Sequence, residues 1–148
     1  MGSLSGDFRS TAIVLFTDLV GSTELRSRVG EDAAEEARRV HDRLVSGAID
    51  ARQGRVVKGL GDGVMATFAG AAEAVAAAVA IQQALDRHRR GAPASPGFDV
   101  RIGLSAGDVT CEDGDCFGTP VIEAARLCAA AGGGQILATE VVRLLVGS

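Results

Sequence analysis

Apolar residues recur along the chain with two spacings, and the two spacings predict different elements. Short apolar or alternating runs indicate strands, whereas apolar residues three or four positions apart indicate helices that pack on a core. The first helix is predicted to follow residues 18–23 and to be capped by Ser22 or Thr23, which are both good capping residues. Further helices are predicted over residues 31–53, 71–90, 121–131 and 140–146. Strands are predicted over residues 12–17, 55–58, 64–68, 98–105 and 135–137.

The order of these elements indicates how the sheet is built. The first strand, residues 12–17, is apolar on both faces, which is typical of a central strand. The tight turn at residues 59–63 joins the next two strands into a hairpin. The β-α-β-β-α-β order predicts one α+β domain over residues 1–148, with a ferredoxin-like core, a mostly antiparallel sheet and helices packed on it. An irregular start and two loops are predicted over residues 1–10, 91–97 and 107–118.

Composition narrows the class of protein. The chain has 148 residues and is 47% hydrophobic, which is enough for one core without structural metal or a disulfide framework. The net charge of −4 and the lack of a Lys/Arg block argue against a nucleic-acid partner. Three cysteines, an odd number without a C-x-x-C pair, predict free thiols in a reducing compartment and no zinc site. His41 and His88 lack partners at metal-ligand spacing and are expected on exposed helix faces.

No segment is predicted to cross a membrane. The sequence does not begin with a charged region followed by an apolar one, so no signal peptide is predicted. The most apolar stretch, residues 64–81, includes Gly70 and Glu73 and is mostly alanine, which suits a strand followed by a helix better than a membrane span. We therefore expect a soluble, cytoplasmic domain with no membrane contact within this chain.

Two aspartates follow predicted strands. Asp18 comes directly after the first strand, and Asp62 lies in the hairpin turn. If these strands are neighbours, both carboxylates project from one edge of the sheet, where such ligands bind Mg²⁺ together with substrate phosphates. The alternative is that Asp62 only forms the turn, because Gly-Asp-Gly is common in tight turns. These residues alone leave both interpretations open.

The segment Val20-Gly21-Ser22-Thr23 lies between Asp18 and a predicted helix. A turn of small residues that enters a helix presents backbone N–H groups and the positive end of the helix dipole, which bind phosphate. A plain helix cap is the alternative and, for this segment by itself, the more ordinary one. An aspartate and such a turn, close together after one strand, favour a site for a cation and a phosphate.

Five ordered motifs resemble one known family. In this order they are similar to the catalytic domain of class III adenylyl and guanylyl cyclases, of the bacterial adenylyl cyclase type, over about residues 10–146. The resemblance implies a reaction in which ATP becomes 3′,5′-cyclic AMP and pyrophosphate. The motifs are FTDLVGST (residues 16–23), VKGLGDG (57–63), RIGL (101–104), GDCFG with EAARL (114–118 and 123–127) and GQIL (134–137).

The resemblance implies metal and base-binding residues. Asp18 and Asp62, with the Leu19 carbonyl, match the ligands of two Mg²⁺ or Mn²⁺ ions per site. Lys58 and Asp115 match the pair that reads the adenine edge, where guanylyl cyclases carry Glu and a small residue or Cys. An aspartate accepts from the N6 amino group of adenine and a lysine donates to N1, whereas guanine has the opposite polarity at both positions.

The resemblance also implies two arginines and a dimer. Arg101 matches an arginine that meets the triphosphate, and Arg126 matches the arginine that stabilises the transition state. In this family the metal aspartates come from one subunit, while Lys58, Asp115 and Arg126 match residues of the other. A homodimer with shared active sites and ATP as ligand is therefore implied.

The sequence departs from the family at two points. Ile122 stands where the family usually has an asparagine that orients the ribose. The family domain also continues into a C-terminal β-hairpin whose lysine meets the triphosphate, and this hairpin is expected to be missing because the sequence stops at Ser148. These departures favour an alternative, a cyclase-like module that binds nucleotide or dimerises without turnover. A further alternative is another two-metal phosphoryl-transfer enzyme, such as a palm-type nucleotidyltransferase, which has no need of the Lys58 and Asp115 pair.

Overall fold

The computed structural model describes residues 8–91 and 98–147, and the long strand β1 (Phe8–Val20) lies at the centre of its sheet. The predicted helices and strands occur in the predicted order. The other strands are β2 (Arg55–Gly59), β3 (Val64–Phe68), β4 (Asp99–Glu112), β5 (Asp115–Phe117) and β6 (Ile136–Ala138). The helices are α1 (Ser22–Val29), α2 (Glu31–Ala51), α3 (Ala71–Gly91), α4 (Thr119–Ala130) and α5 (Glu140–Val146).

The strand order is β2-β3-β1-β4, and the far edge of β4 is shared by two short strands. β5 pairs antiparallel with the end of β4, and β6 pairs parallel with its first half. The remaining pairings among the described strands are antiparallel. The predicted α+β class with a mostly antiparallel sheet is therefore confirmed.

The sheet is buried on both faces, as the continuous apolar run of β1 predicts. Ile13 and Leu15 belong to the larger core, which the sheet forms with α2, α3 and α5. Ala12 and Val14 alternate with them and belong to a second core, which includes α4 and the β4–β5 hairpin. β1 thus holds its position through contacts on both faces and both edges.

Two strands are longer than predicted. β1 begins at Phe8, so residues 8–10 belong to the sheet rather than to an irregular start. β4 runs to Glu112, and the predicted loop over residues 107–118 is a hairpin that turns at Asp113 and Gly114. Both turn residues have positive φ, 54° and 77°, as a two-residue hairpin turn requires. Residues 1–7 and, apart from Gly91 at the end of α3, the predicted loop over 91–97 lie outside the described residues.

The prediction of three free thiols is wrong for two of them. Cys111 and Cys116 face each other across the β4–β5 hairpin, with their α-carbons 4.0 Å apart, and form a disulfide. Cys128 on α4 is free and buried. The odd cysteine count indicated no framework of disulfides, but it carries no information on a single pair that strand register brings together.

The expectation of exposed histidines is wrong for His41. Its side chain is fully buried on α2, and its ring lies 5.9 Å from that of Phe98 in an edge-on contact. Burial lowers the pKa of His41, so its imidazole is neutral at physiological pH. His88 on α3 is half-buried. Among the described residues, no helix is both long and apolar enough to span a membrane.

Candidate active site

Asp18 and Asp62 are brought side by side by backbone contacts. Asp18 lies near the end of β1, and Asp62 lies in the turn between β2 and β3. The Leu19 amide donates to the Asp62 carbonyl at 2.8 Å. At Gly63, a β-carbon would stand 1.8 Å from the Thr17 carbonyl oxygen, so only glycine allows the turn to approach β1 this closely.

The turn is also supported from the helix layer. Arg38 on α2 donates from Nη1 to the Gly61 carbonyl at 3.4 Å. The same guanidinium pairs with Glu35 and with Asp42, the latter at 3.3 Å, so its direction is set by two carboxylates of its own helix. This contact links α2 to the segment that carries Asp62.

Asp18 forms an ion pair with a residue that is distant in the sequence. Its Oδ2 atom accepts from Nε of Arg101 at 3.1 Å and from Nη2 at 2.7 Å. The two residues are directly opposite in the β1–β4 register, and each is about two-thirds buried. Arg101 Nη1 also donates to the Ala129 carbonyl in the last turn of α4, at 3.0 Å. Strand pairing and α4 together fix this ion pair.

A shallow depression of about 150 Å³ opens beside this pair. Asp18 and Arg101 are its charged lining groups, and Leu60 of the turn forms another part of its wall. Burial raises the pKa of the Cys128 thiol, which also lines it, to about 11, so the thiol is neutral at physiological pH. The charge in this depression therefore comes from one carboxylate and one guanidinium.

The predicted phosphate segment directly follows the metal candidate. Val20 ends β1 with an exposed side chain, and α1 begins at Ser22 with Gly21 at its cap position, where φ is 78°. Neither Ser22 nor Thr23 therefore occupies the predicted cap position, and their side chains lie outside the described residues. The start of α1 lies four residues after Asp18 in the chain. Its backbone N–H groups have the arrangement that binds anions at helix starts.

Lys58 and Asp115 meet although their strands lie at opposite ends of the strand order. The Nζ atom of Lys58 lies 3.0 Å from Oδ1 of Asp115, because the β4–β5 hairpin packs against Met65 of β3 and so reaches β2. The Cys116 amide donates to the same Oδ1 at 2.8 Å. The hydrogen bond from Lys58, and to a lesser extent that from the Cys116 amide, lower the pKa of the Asp115 carboxyl. This carboxyl is therefore ionised at neutral pH.

Arg126 stands apart from the residues above. It lies on α4 four residues after Ile122, and both side chains are exposed. Within the described part of the chain, no hydrogen bond or ion pair joins Arg126 to Asp18, Lys58 or Asp115. The structure thus forms two separate clusters, Asp18 with Asp62 and Arg101, and Lys58 with Asp115, and leaves Arg126 outside both.

Comparison with known proteins identifies the family of this arrangement. The family model for the adenylate and guanylate cyclase catalytic domain matches residues 8–147. The chain is a cyclase catalytic domain of this family. The class III resemblance of the five motifs is therefore confirmed, and the palm-type nucleotidyltransferase alternative is wrong.

Individual relatives of this cyclase domain carry related names. It is 33% identical to the putative adenylate cyclase 3 of Rhizobium meliloti over 89% of its own length, which is 22% of that protein. It is 35% identical to an adenylate cyclase of Streptomyces coelicolor over 76% of its length and 28% of the relative's. The solved adenylate/guanylate cyclase/hydrolase of Silicibacter pomeroyi superposes with a TM-score of 0.80 at 33% identity, covering 93% of this chain and 79% of that one. The chain therefore spans less than a third of these two curated relatives.

Sequence reasoning missed several parts of the cyclase domain's candidate site. It named Asp18 and Arg101 separately but not their ion pair, because cross-strand register is not readable from local spacing. It also missed the contact of Arg38 with the Gly61 carbonyl and the disulfide of Cys116, one residue beyond Asp115. The Asp113-Gly114 pair between Cys111 and Cys116 was the available signal for the hairpin, because Asp-Gly is typical of two-residue hairpin turns.

Proposed function

We propose that this cyclase domain converts ATP into 3′,5′-cyclic AMP and pyrophosphate. The observation that carries the choice of base is the Lys58–Asp115 contact. Asp115 supplies an acceptor for the adenine N6 amino group, and Lys58 supplies a donor for N1. Guanine would face each of these groups with the wrong polarity, and unpaired polar groups at a binding site are costly. The adenylate cyclase names of two relatives support the same choice.

We propose that Asp18, Asp62 and the Leu19 carbonyl hold two Mg²⁺ or Mn²⁺ ions per site. The donor set fits hard cations, because it consists of oxygen ligands that the Leu19–Asp62 hydrogen bond keeps adjacent. Among the described residues, no three His, Cys, Asp or Glu side chains cluster, so substrate phosphates would complete the coordination. When bound, such ions lower the pKa of the ribose 3′-hydroxyl and offset charge on the leaving pyrophosphate.

The triphosphate then lies along the start of α1 and against Arg101. The backbone at Val20, Gly21, Ser22 and Thr23 offers N–H donors, and Arg101 offers a guanidinium beside Asp18. Both groups orient the α-phosphate toward the 3′-oxygen. They act by positioning and charge neutralisation, which are the main contributions a protein makes to phosphoryl chemistry.

Arg126 is proposed to act across a homodimer. Its exposed position outside both clusters supports a site that a second copy completes. The guanidinium of one subunit would offset the charge that grows on the α-phosphoryl group held by the other subunit. Because its substrate is ATP, we expect the domain to work in the cytoplasm.

The decisive experiment offers the purified chain Mn²⁺ with ATP or GTP and separates the products by chromatography. We expect cyclic AMP from ATP and much less cyclic GMP from GTP. Equal rates with both nucleotides would remove the adenylyl assignment.

Shared sites have a separate test. Asp18→Ala and Arg126→Ala subunits, each inactive alone, should regain activity when mixed, because each heterodimer then has one intact site. Heterodimers that form without activity would contradict the shared site.

A second candidate function is nucleotide binding without turnover. Ile122 favours it, because an exposed isoleucine beside Arg126 cannot hydrogen-bond a ribose hydroxyl. A fluorescent ATP analogue that binds while no cyclic AMP forms would support this function. Recovery of turnover in Ile122→Asn would then identify the missing group.

A further inference from the structure

Asp18, a candidate metal ligand, is paired with a cationic side chain of the same chain, Arg101. Arg101 Nε and Nη2 both donate to the same carboxylate oxygen, Oδ2, at 3.1 and 2.7 Å. Because Asp18 and Arg101 are direct partners in the β1–β4 register, their backbones are fixed relative to each other. The contact is therefore a built feature of the sheet rather than a chance meeting of two flexible side chains.

Arg101 is held on a further side by α4. Its Nη1 atom donates to the Ala129 carbonyl at 3.0 Å, and the residue is about two-thirds buried. With these partners, we expect the guanidinium to stay on Asp18 unless another anion replaces the carboxylate. Phosphate oxygens are such an anion, since arginine binds them with the same paired geometry.

We propose that Arg101 competes with the divalent cation for Asp18 and yields it when the triphosphate binds. This proposal rests on the proposed function and adds a regulation of the same site. A guanidinium on Oδ2 repels a second cation at that carboxylate, so metal binding is weak in the nucleotide-free domain. A triphosphate that draws Arg101 away strengthens metal binding, and by linkage the metal strengthens nucleotide binding.

The first test measures Mn²⁺ binding without nucleotide, from the electron paramagnetic resonance signal of free Mn²⁺. Arg101→Met should bind Mn²⁺ at least about fivefold more tightly than the unchanged domain, which is the lower end of common coupling effects. Arg101→Gln, which removes the charge but keeps an N–H donor at about the reach of the arginine Nε atom, should shift affinity the same way and serves if the Met variant fails to fold. Unchanged or weaker Mn²⁺ binding in the folded variant would overturn the proposal.

A matched control is available on α3. Arg89 also pairs with an aspartate, Asp99, at the start of β4, two residues from Arg101 in sequence. Arg89→Met removes a somewhat more exposed arginine–aspartate pair outside the candidate site, and we expect it to leave Mn²⁺ affinity unchanged. If Arg89→Met raises Mn²⁺ affinity as much as Arg101→Met does, the effect comes from the change in net charge, and the proposal is overturned.

The second test measures a fluorescent ATP analogue in the presence of a chelator. Asp18→Asn should bind the analogue more tightly, because Arg101 is released to the phosphates. Removal of one negative charge would by itself also strengthen binding of the analogue. The increase in affinity caused by Asp18→Asn is therefore measured again in the Arg101→Met background. The proposal requires a smaller increase in that background; an equal increase in both backgrounds contradicts it.

These outcomes separate this proposal from the proposed function. If Asp18→Asn binds Mn²⁺ as well as the unchanged domain, the metal assignment fails and the competition fails with it. If Asp18→Asn binds Mn²⁺ less tightly while Arg101→Met binds it no more tightly than the unchanged domain, only the proposed competition is contradicted. Neither measurement depends on turnover.

Discussion

The two candidate clusters of this domain are held in very different ways. Asp18 and Asp62 are positioned by β1, buried on both faces, and by a backbone turn that only glycine permits. Lys58 and Asp115 sit on strands of five and three residues and meet through side chains that are 41% and 35% exposed. The candidate metal cluster is therefore the more rigid of the two, and the candidate base-binding cluster is the more adaptable. If both proposed roles hold, base choice can change without disturbing the metal site, in a family whose members include adenylate and guanylate cyclases.

The largest expected effect comes from the rigid cluster. Asp18→Asn and Asp62→Asn should each lower kcat by at least about a hundredfold, because each removes a proposed metal ligand. Stability should change little for Asp18→Asn, since its ion pair is partly solvated. Cyclic AMP production and thermal melting of the same samples measure both effects. Turnover within tenfold of the unchanged domain would place the metal elsewhere.

The rigidity itself is tested at Gly63. Gly63→Ala puts a methyl group 1.8 Å from the Thr17 carbonyl, so the turn must move away from β1. We expect a loss of about 1–3 kcal/mol in the free energy of unfolding, as for other overpacked sites, together with at least tenfold lower kcat. Gly59→Ala is the matched control, because a β-carbon there meets no atom within 4 Å. Equal effects of the two variants in denaturant unfolding would refute the close-approach argument.

A change in base preference tests the adaptable cluster. Lys58→Glu with Asp115→Ser should lower the ATP/GTP ratio of kcat/KM by roughly a hundredfold, because both polarities at the base edge are altered. The free energy of unfolding should fall by less than about 1 kcal/mol, since both side chains of the lost pair are partly exposed to solvent. An unchanged ratio in the double variant would assign base recognition to other residues.

The smallest effect on turnover is expected from the disulfide. Reduction, or Cys111→Ser with Cys116→Ser, opens a short covalent loop beside Asp115 and should cost about 2 kcal/mol of stability. The ATP/GTP ratio should fall a few-fold while kcat for ATP stays within a factor of two or so, because Asp18 and Asp62 are untouched. Steady-state kinetics with and without a thiol reductant measure this. A loss of kcat as large as in Asp18→Asn would show that the clusters are not independent.

Much of the fold was predictable because its signals are local. The apolar run of β1, the hairpin of β2 and β3 and the helical spacing of α2 and α3 each lie within one short window. The predictions that were wrong concern features that depend on contacts between residues distant in the sequence. The burial of His41 follows from how α2 packs near Phe98, and the Cys111–Cys116 bond follows from the register of β4 with β5.

The candidate site divides in the same way. Asp18, Asp62, Lys58 and Asp115 could be named from ordered motifs, and the structure brings them together in pairs. The Asp18–Arg101 pair joins residues 83 positions apart, and nothing in either motif states which carboxylate the arginine meets. Their proposed roles remain predictions for the experiments above.

The short strands that carry Lys58 and Asp115 also affect how the sheet meets other chains. Open edges of β-sheets are where proteins recruit foreign strands and aggregate. Here one edge is the five-residue strand β2, which carries Arg55 and Lys58 and is interrupted by a bulge between Val56 and Lys58. The opposite edge, along β4, is capped by β5 and β6. Both edges are therefore short, interrupted or partly covered, which disfavours the addition of a foreign strand.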